Sequence, residues 1–209
     1  MQIVLVHTYH KDHKILSNIT TKYYESMGYK VDRVEADFLV NEEATYRNEF
    51  INRNPDADYL FHIDSDEVIT KEDMLKAAAI IERVQLDVYR VSIIDYISPT
   101  EVLKEARIHK PIMAVKRSKT RFTTNRNVKG CTGHELLPIN IHHLGYLTKS
   151  QCDFKINNYM ARYDLHELGN VTNILNKELK TADVPQEISI IIKEYIELVN
   201  PHSSSSVEA

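Results

Sequence analysis

Three acidic residues within four positions form the segment of this chain that is best suited to chemistry. Asp64, Asp66 and Glu67 follow the apolar run at 59–63, and only Ser65 separates the two aspartates. Carboxylates two positions apart in an extended chain point to the same side. Their oxygens suit Mg²⁺ or Mn²⁺, which commonly share their coordination shell with phosphate oxygens. The pattern indicates a divalent ion with a phosphate-bearing ligand; a solvated turn ahead of a helix would use the same residues.

Histidines after the first apolar run form a second candidate cluster. His7, His10 and His13 are spaced by three positions. This spacing admits zinc, although zinc sites need three or four ligands in tight geometry and such a loop pattern is a weak signal. The alternative is that the residues after the first strand line a ligand pocket.

Strands and helices alternate through the first 95 residues, which predicts an α/β domain with a mixed, mostly parallel sheet flanked by helices. The expected strands are 3–6, 29–36, 58–63, 88–94, 112–115 and 136–144. The expected helices are 14–27, 41–53, 70–84, 151–164, 171–180 and 185–199. Ligands of such sheets bind beyond the carboxyl ends of the strands, so the segment after the first strand and the acidic turn are expected at one edge.

Composition restricts the classes of protein that are possible. The chain has 209 residues, 43% of them hydrophobic and 27% charged, with a net charge of −4. This composition excludes a largely disordered chain. The negative net charge argues against a protein whose main function is nonspecific binding to nucleic-acid backbones. The two cysteines form no CxxC pattern, and there is neither an apolar run of membrane-spanning length nor a signal-peptide start. A cytoplasmic location is the expectation.

Several short motifs occur in a specific order around the acidic turn. They are YRN at 46–48, ADYLFHIDSDEVI at 57–69, GHE at 133–135, PINIHHLGY at 138–146, and then Lys155 and Arg162. Together, over about residues 1–165, they resemble the family-2-type glycosyltransferases of the GT-A fold, in the subset that carries D-x-D-E, H-E and H-x-G-Y segments.

The resemblance implies a GT-A-like nucleotide-diphospho-sugar transferase fold and metal-dependent, inverting transfer of a sugar to a hydroxyl acceptor. It implies that Asp64 contacts the ribose or sugar of the donor, a UDP-sugar being favoured, and that Asp66 and His143 bind Mn²⁺ or Mg²⁺. Further donor contacts are expected from Thr8, Tyr9 (stacking on the base), Asp37, Arg47, Lys155 and Arg162. Glu135 is the expected general base and Asp95 the second candidate. Glu67 either contacts the metal ligands without binding the ion itself or is the first acidic residue of the next helix.

The chain also departs from the resembled family. The acidic turn that usually follows the second strand is missing, and residues 34–37 are its nearest substitute. The chain is short, so the acceptor region is expected to be minimal or supplied by C-terminal helices. The expected organisation is a catalytic domain at 1–168, a helical extension packed on it at 169–200, and a disordered tail at 201–209.

Other functions use the same residues. A nucleotidyltransferase or phosphohydrolase could employ the carboxylates, but the segment after the first strand lacks the glycines of a phosphate loop. A non-catalytic nucleotide-binding domain is a further alternative. The acceptor of a transferase would be a saccharide or glycan, or less readily a hydroxymethylated DNA base. The basic segment at 116–129 is a solvated loop, a lid over the diphosphate with Gly130 as its hinge, or a contact for an anionic acceptor.

Overall fold

A computed structural model describes residues 1–36, 43–104, 112–123, 127–153 and 178–200. Eleven strands occur in these ranges: β1 Ile3–Tyr9, β2 Lys30–Glu35, β3 Tyr59–His62, β4 Glu67–Val68, β5 Val88–Ser98, β6 Glu101–Leu103, β7 Ile112–Lys116, β8 Arg121–Phe122, β9 Val128–Lys129, β10 His134–His143 and β11 Leu179–Thr181. The helices are a short 3₁₀ turn at Lys11–His13, α1 Lys14–Ser26, α2 Glu43–Arg53, α3 Lys71–Val84 and α4 Gln186–Val199.

Nine of the described strands form one mixed sheet, in which β2, β1, β3, β7, β5, β10 and β4 follow one another. β1 is parallel to β2 and β3, and β10 is parallel to β5. β7 is antiparallel to both of its neighbours, while β6 and β11 extend the sheet from the far end of β5. Six of these nine strands run in one direction. The prediction of an α/β fold with a mostly parallel, helix-flanked sheet is confirmed.

Two apolar layers cover the sheet. On one face, α3 buries Met74, Ala77 and Ile81 against alternate residues of the central strands. On the other face, α2 buries Phe50 and Ile51 against a cluster that includes Leu60 of β3. Strand residues thus alternate between the two layers, as expected for a sheet that is covered on both sides.

The predicted helix ends agree with the observed ones where the sequence carries a capping signal. The Thr70 side chain accepts a hydrogen bond from the Asp73 backbone N–H and starts α3. Gly28 follows α1 with a φ of +86°, a conformation that favours glycine.

Three local predictions are wrong. The segment at 7–13, expected as a loop after the first strand, begins as strand, because β1 continues to Tyr9 before the 3₁₀ turn. The basic segment at 116–129, expected to lack regular structure, contains β8 and β9, which pair as a hairpin because Phe122 gains a buried apolar contact. The expected helix at 171–180 overlaps β11, which pairs with β6; the rest of that helix, and most of the one at 151–164, lie outside the described residues.

The last helix joins the same fold. α4 packs Ile188, Ile191, Ile192 and Tyr195 against a cluster that includes Leu16 and Ile19 of α1. The described part of the expected C-terminal extension at 169–200 contains β11 as well as α4. The expected tail at 201–209 lies outside the described residues. Within the ranges that the structure describes, no helix is long and apolar enough to cross a membrane.

Replacing Glu187 with alanine tests the attachment of α4. Its carboxylate accepts hydrogen bonds from the Tyr23 hydroxyl at 2.8 Å and the Lys71 backbone N–H at 3.0 Å. We expect Glu187→Ala to lower the free energy of unfolding by about 1–2 kcal/mol in urea denaturation. The exposed Glu194→Ala is the matched control and should change it by less than about 0.5 kcal/mol. Equal values for the two variants would contradict this role for Glu187.

Candidate functional site

The candidate site lies at the carboxyl edge of β1 and β3. The two strands are parallel neighbours with Val6 opposite His62, and the Ile63 backbone N–H donates to the Val6 carbonyl at 3.1 Å. The acidic turn therefore leaves the sheet beside His7, Thr8 and Tyr9 of β1. The expectation that both segments meet at one edge is confirmed.

A short antiparallel pairing joins the acidic turn to the end of β10. In it, β4 places Glu67 opposite His143, and the Leu144 backbone N–H donates to the Asp66 carbonyl at 2.6 Å. As a result, Oδ2 of Asp66 lies 3.3 Å from Nε2 of His143. The two side chains that were predicted to share a metal ion are therefore adjacent.

Asp95 completes a buried row of three side chains. Its Oδ1 lies 2.7 Å from Nδ1 of His143, on the side of the imidazole that faces away from Asp66. The side chains of Asp95, His143 and Asp66 are only 1%, 5% and 8% exposed. In metal-binding histidines, one ring nitrogen binds the ion and the other usually contacts a carboxylate or another hydrogen-bond acceptor.

The spacing of Asp66 and His143 fits a shared ion. Two ligand atoms at about 2.1 Å from one ion and at right angles to each other are about 3.0 Å apart. The observed 3.3 Å between Oδ2 and Nε2 is close to that value. Among the described residues no group of three or more His, Cys, Asp and Glu could hold an ion. Two protein ligands suit an ion that takes its remaining ligands from water and phosphate.

Glu67 fastens the acidic turn from inside. Its Oε2 accepts a hydrogen bond from the Asp64 backbone N–H at 2.9 Å. Burial, together with the neighbouring Asp64, raises the pKa of this carboxyl to about 7, while His143 opposes the rise. Glu67 is not the first acid of a helix, because α3 begins only at Lys71.

Asp64 and Arg47 form a more open contact on the α2 side. Nη2 of Arg47 lies 3.7 Å from Oδ1 of Asp64, whose side chain is 38% exposed. The Arg47 guanidinium also lies over the Phe122 ring, 5.4 Å from its centre. Asp64 is thus the acidic residue of the turn that a ligand could reach directly, whereas Asp66 is recessed beside His143.

The end of β1 differs in detail from the prediction. Thr8 and Tyr9 are both buried, and the Arg33 guanidinium lies 5.5 Å from the centre of the Tyr9 ring. Arg33 covers the aromatic ring on which a base was expected to stack. The zinc alternative is not supported, because Nε2 of His7 lies 2.9 Å from the Ser17 hydroxyl, and Nδ1 of His10 accepts from the Asp12 backbone N–H.

The fold does not bring Glu135 to the acidic turn. In the parallel β5–β10 pairing, Glu135 lies opposite Tyr89 at one end and His143 opposite Asp95 at the other. Tyr89 and Asp95 are six positions apart along β5, which corresponds to about 20 Å. A carboxylate at that distance cannot take a proton at the acidic turn. Asp95, the second candidate base, is shielded behind His143.

Three predicted donor contacts lie outside the described residues: Asp37, Lys155 and Arg162. The sequence alone did not indicate that Asp95 contacts His143 or that Glu67 accepts a hydrogen bond within the acidic turn. Asp95 did carry a signal, because it stands alone in a run of β-branched and aromatic residues. A charged side chain within a buried strand needs a partner, which is how it could have been found.

No protein-family profile matches the chain, and no curated protein matches it. Among solved structures, the chain is similar to a glycosyltransferase involved in glycosylation of the major capsid of PBCV-1, with 14% identity and a TM-score of 0.38 over 56% of this chain and 61% of the other. This chain therefore covers less than two thirds of that protein's length.

Two further solved structures align over most of the chain. TarS 1–349 from S. aureus, in complex with UDP-GlcNAc, has 12% identity and a TM-score of 0.47, covering 99% of this chain and 74% of the other. HddC from Yersinia pseudotuberculosis, complexed with GMP-PN, has 8% identity and a TM-score of 0.36, covering 93% of this chain and all of the other. These likenesses are too distant to assign a function.

The buried imidazole of His7 predicts a pH dependence of stability. Burial, reinforced by Arg33, lowers the pKa of His7 from 6.5 to about 4. Between these values the unfolded chain binds a proton that the folded chain does not, so His7 reduces stability as the pH falls from 6.5 to 4. The reduction is at most about 3 kcal/mol. In His7→Gln, the loss of unfolding free energy over this range should be smaller.

The control for this measurement is Ser17→Ala, which removes the hydrogen-bonding partner of His7 and keeps the imidazole. Its free energy of unfolding should be lower than that of the wild type at every pH, with the same pH dependence. Urea denaturation at several pH values measures both variants. If His7→Gln retained the full dependence of the wild type, another group would be responsible.

Proposed function

We propose that this protein is a metal-dependent glycosyltransferase that moves a sugar from a nucleotide-sugar, in the first instance a UDP-sugar, to a hydroxyl acceptor. The observation that carries the proposal is the pair of Asp66 and His143, 3.3 Å apart at the carboxyl edge of the sheet. The proposal is also supported by the more exposed Asp64 beside this pair and by the resemblance of the surrounding motifs.

In the proposed reaction, the bond between the anomeric carbon and the diphosphate oxygen breaks, and the acceptor oxygen bonds to that carbon. The acceptor hydroxyl releases its proton to solvent water, and a nucleoside diphosphate leaves. A divalent ion, when bound, would neutralise the charge that grows on the leaving diphosphate. The chain contributes Asp66 and His143 as ligands to that ion and Asp64 as a contact to the donor.

Three groups would keep the proposed ligands in place. Asp95 holds the Nδ1 side of His143 and leaves Nε2 directed toward Asp66. Glu67 accepts a hydrogen bond from the Asp64 backbone and fixes the turn. Arg47 approaches Asp64 from α2. Such preorganisation lowers the cost of ordering the site when the donor binds.

The position of Glu135 removes it from the proposed mechanism as the base. Inversion at the anomeric carbon is still part of the proposal, and NMR of the anomeric proton of the product measures the resulting configuration directly.

The main alternative, a non-catalytic nucleotide-binding domain, predicts donor binding without turnover. A nucleotidyltransferase would instead release pyrophosphate.

The first test is a thermal-shift experiment with UDP and UDP-sugars in Mn²⁺, Mg²⁺ or EDTA. A ligand at 100 times its dissociation constant adds about 2.7 kcal/mol, or roughly 5–10 °C for a chain of this size. We expect this shift with a divalent ion, its loss in EDTA and its loss in Asp66→Asn. The exposed Asp183→Asn is the matched control and should behave as wild type. GDP, CDP and ADP are run beside UDP, and the absence of a shift with all four nucleoside diphosphates would overturn the proposed function.

The second test concerns Asp95. Replacing it with asparagine keeps the shape of the side chain but removes the charge that holds the imidazole, so His143 loses its fixed orientation. We expect Asp95→Asn to weaken Mn²⁺ binding in the presence of UDP by about 10- to 100-fold, measured by the electron paramagnetic resonance of free Mn²⁺. Asp183→Asn again serves as the control. Unchanged Mn²⁺ affinity in a folded Asp95→Asn protein would show that the Asp95 contact is only structural.

A further inference from the structure

The ring of Phe122, in β8, contacts two side chains that flank the acidic turn. The guanidinium of Arg47 lies over this ring, with its carbon 5.4 Å from the ring centre. The ring of His62, which is two residues ahead of Asp64, lies 4.8 Å from the ring of Phe122 at an angle of 68°. Phe122 is buried and belongs to the apolar cluster beneath α2. It therefore borders both the core and the candidate site.

Two consecutive residues of α2, Arg47 and Asn48, both contact Phe122. The Asn48 side chain donates a hydrogen bond to the Phe122 carbonyl and accepts one from the Phe122 N–H, each at 2.9 Å. The backbone of Phe122 is thus fixed to the helix at the residue that follows Arg47. Because the same short stretch of α2 holds the backbone and carries the cation, the position of the ring relative to the guanidinium is set locally.

Arg47 contacts this ring and a carboxylate in a mostly buried position. Its side chain is 10% exposed, and its Nη2 lies 3.7 Å from Oδ1 of Asp64. The neighbouring His62 is neutral, because burial and the charge of Arg47 lower the pKa of this imidazole well below 6.5. His62 therefore adds no second positive charge beside the guanidinium. The attraction between a cation and an aromatic face is larger where little water surrounds the pair.

A guanidinium in this position suits a phosphate group. It is planar and carries five N–H donors, so it can contact Asp64 and phosphate oxygens at the same time. Stacking on the Phe122 ring restricts the plane of the guanidinium and thereby the direction of its N–H groups. An aliphatic side chain at position 122 would fill a similar volume without attracting the cation.

We propose that Phe122 is a positioning residue of the donor site: its ring holds the Arg47 guanidinium in the orientation that binds the diphosphate of the nucleotide-sugar. This inference rests on the proposed function, because it concerns the binding of the same donor. Asn48 supports the arrangement by fixing the backbone of Phe122 to α2. The hairpin thus contributes to the site through its inner, apolar side.

The alternative is that Phe122 only fills the core, and a second pair in the same apolar cluster provides the comparison. Phe50 is also buried there, and the guanidinium carbon of Arg53 lies 5.7 Å from the centre of its ring. Arg53 pairs with Asp32 of β2, with its Nη2 2.6 Å from Oδ1. The chain thus carries two similar pairs of arginine and phenylalanine on α2, and the pair of Arg47 and Phe122 is the one that contacts the acidic turn.

The test compares Phe122→Leu with its matched control, Phe50→Leu. Each variant removes one aromatic ring from the same cluster and keeps an apolar side chain. The dissociation constant of UDP is measured by isothermal titration calorimetry in saturating Mn²⁺. We expect Phe122→Leu to raise this constant about tenfold, the order of one hydrogen bond to a charged group. Phe50→Leu should change it by less than about twofold. Equal weakening by the two variants would reflect lost packing and would overturn the inference.

A double-mutant cycle determines whether Phe122 acts through Arg47. Arg47→Met removes the charge and keeps an unbranched side chain above the ring. Because the cation is already absent in this background, adding Phe122→Leu should change the dissociation constant of UDP by less than about twofold. A further tenfold loss in the double variant would show that Phe122 affects the donor by another route, which would contradict the proposal.

The orientation of Arg47 can also be followed without any ligand. In ¹⁵N-labelled protein, the Nε–H group of Arg47 should show a high heteronuclear NOE in the wild type, as a fixed group does. This NOE should fall in Phe122→Leu, because the guanidinium loses the ring on which it stacks. It should keep its wild-type value in Phe50→Leu, which controls for a general loosening of the cluster. An unchanged NOE in a folded Phe122→Leu protein would overturn the inference.

The outcomes distinguish a failure of this inference from a failure of the proposed function. If the wild type binds UDP with Mn²⁺ and Phe122→Leu binds it equally well, the proposed function stands and this inference is wrong. If the wild type binds no nucleoside diphosphate, the proposed function is wrong, and the role of Phe122 in donor binding is wrong with it.

Discussion

The pairing of β4 with β10 is the constraint on which the candidate site depends. β4 has only two residues, yet its register places Glu67 opposite His143 and allows the Leu144 N–H to reach the Asp66 carbonyl. Residues that are far apart in the chain thereby bring a carboxylate and an imidazole together. Without this pairing, the acidic turn would be a solvated loop, and His143 would keep its contact with Asp95 but not its proximity to Asp66.

Several charged groups are buried around this pairing, and burial opposes the charged form of each. The fold offsets the cost by hydrogen bonds and by opposite charges: Asp95 contacts His143, and Glu67 accepts from the backbone of Asp64. Such a cluster is weak evidence for stability, since an apolar set of similar volume often serves a fold as well. Its placement at the carboxyl edge of the sheet is consistent with the proposed function, which uses these groups.

The elements around the site have different tasks. α4 and β11 come from the end of the chain, but they pack on α1 and extend the sheet beyond β6, so they support the side of the fold that carries β10. The β8–β9 hairpin covers the opposite face beside α2, and its Arg121 and Lys129 are exposed. A recessed acidic edge and exposed cations on the hairpin thus occur in one protein whose net charge is −4.

The sequence by itself determined the α/β class, most element boundaries and the acidic turn, because these follow from local signals: hydrophobic period, the Thr70 cap, the glycine after α1 and the two aspartates after a buried strand. It also identified Asp66 and His143 as partners through the order of the motifs. Only the tertiary structure decided that Glu135 lies about 20 Å from the turn, that Asp95 supports His143, and that Arg33 covers Tyr9. These outcomes depend on strand register and on which strands are neighbours. Both are set by contacts between distant segments, which no local pattern encodes.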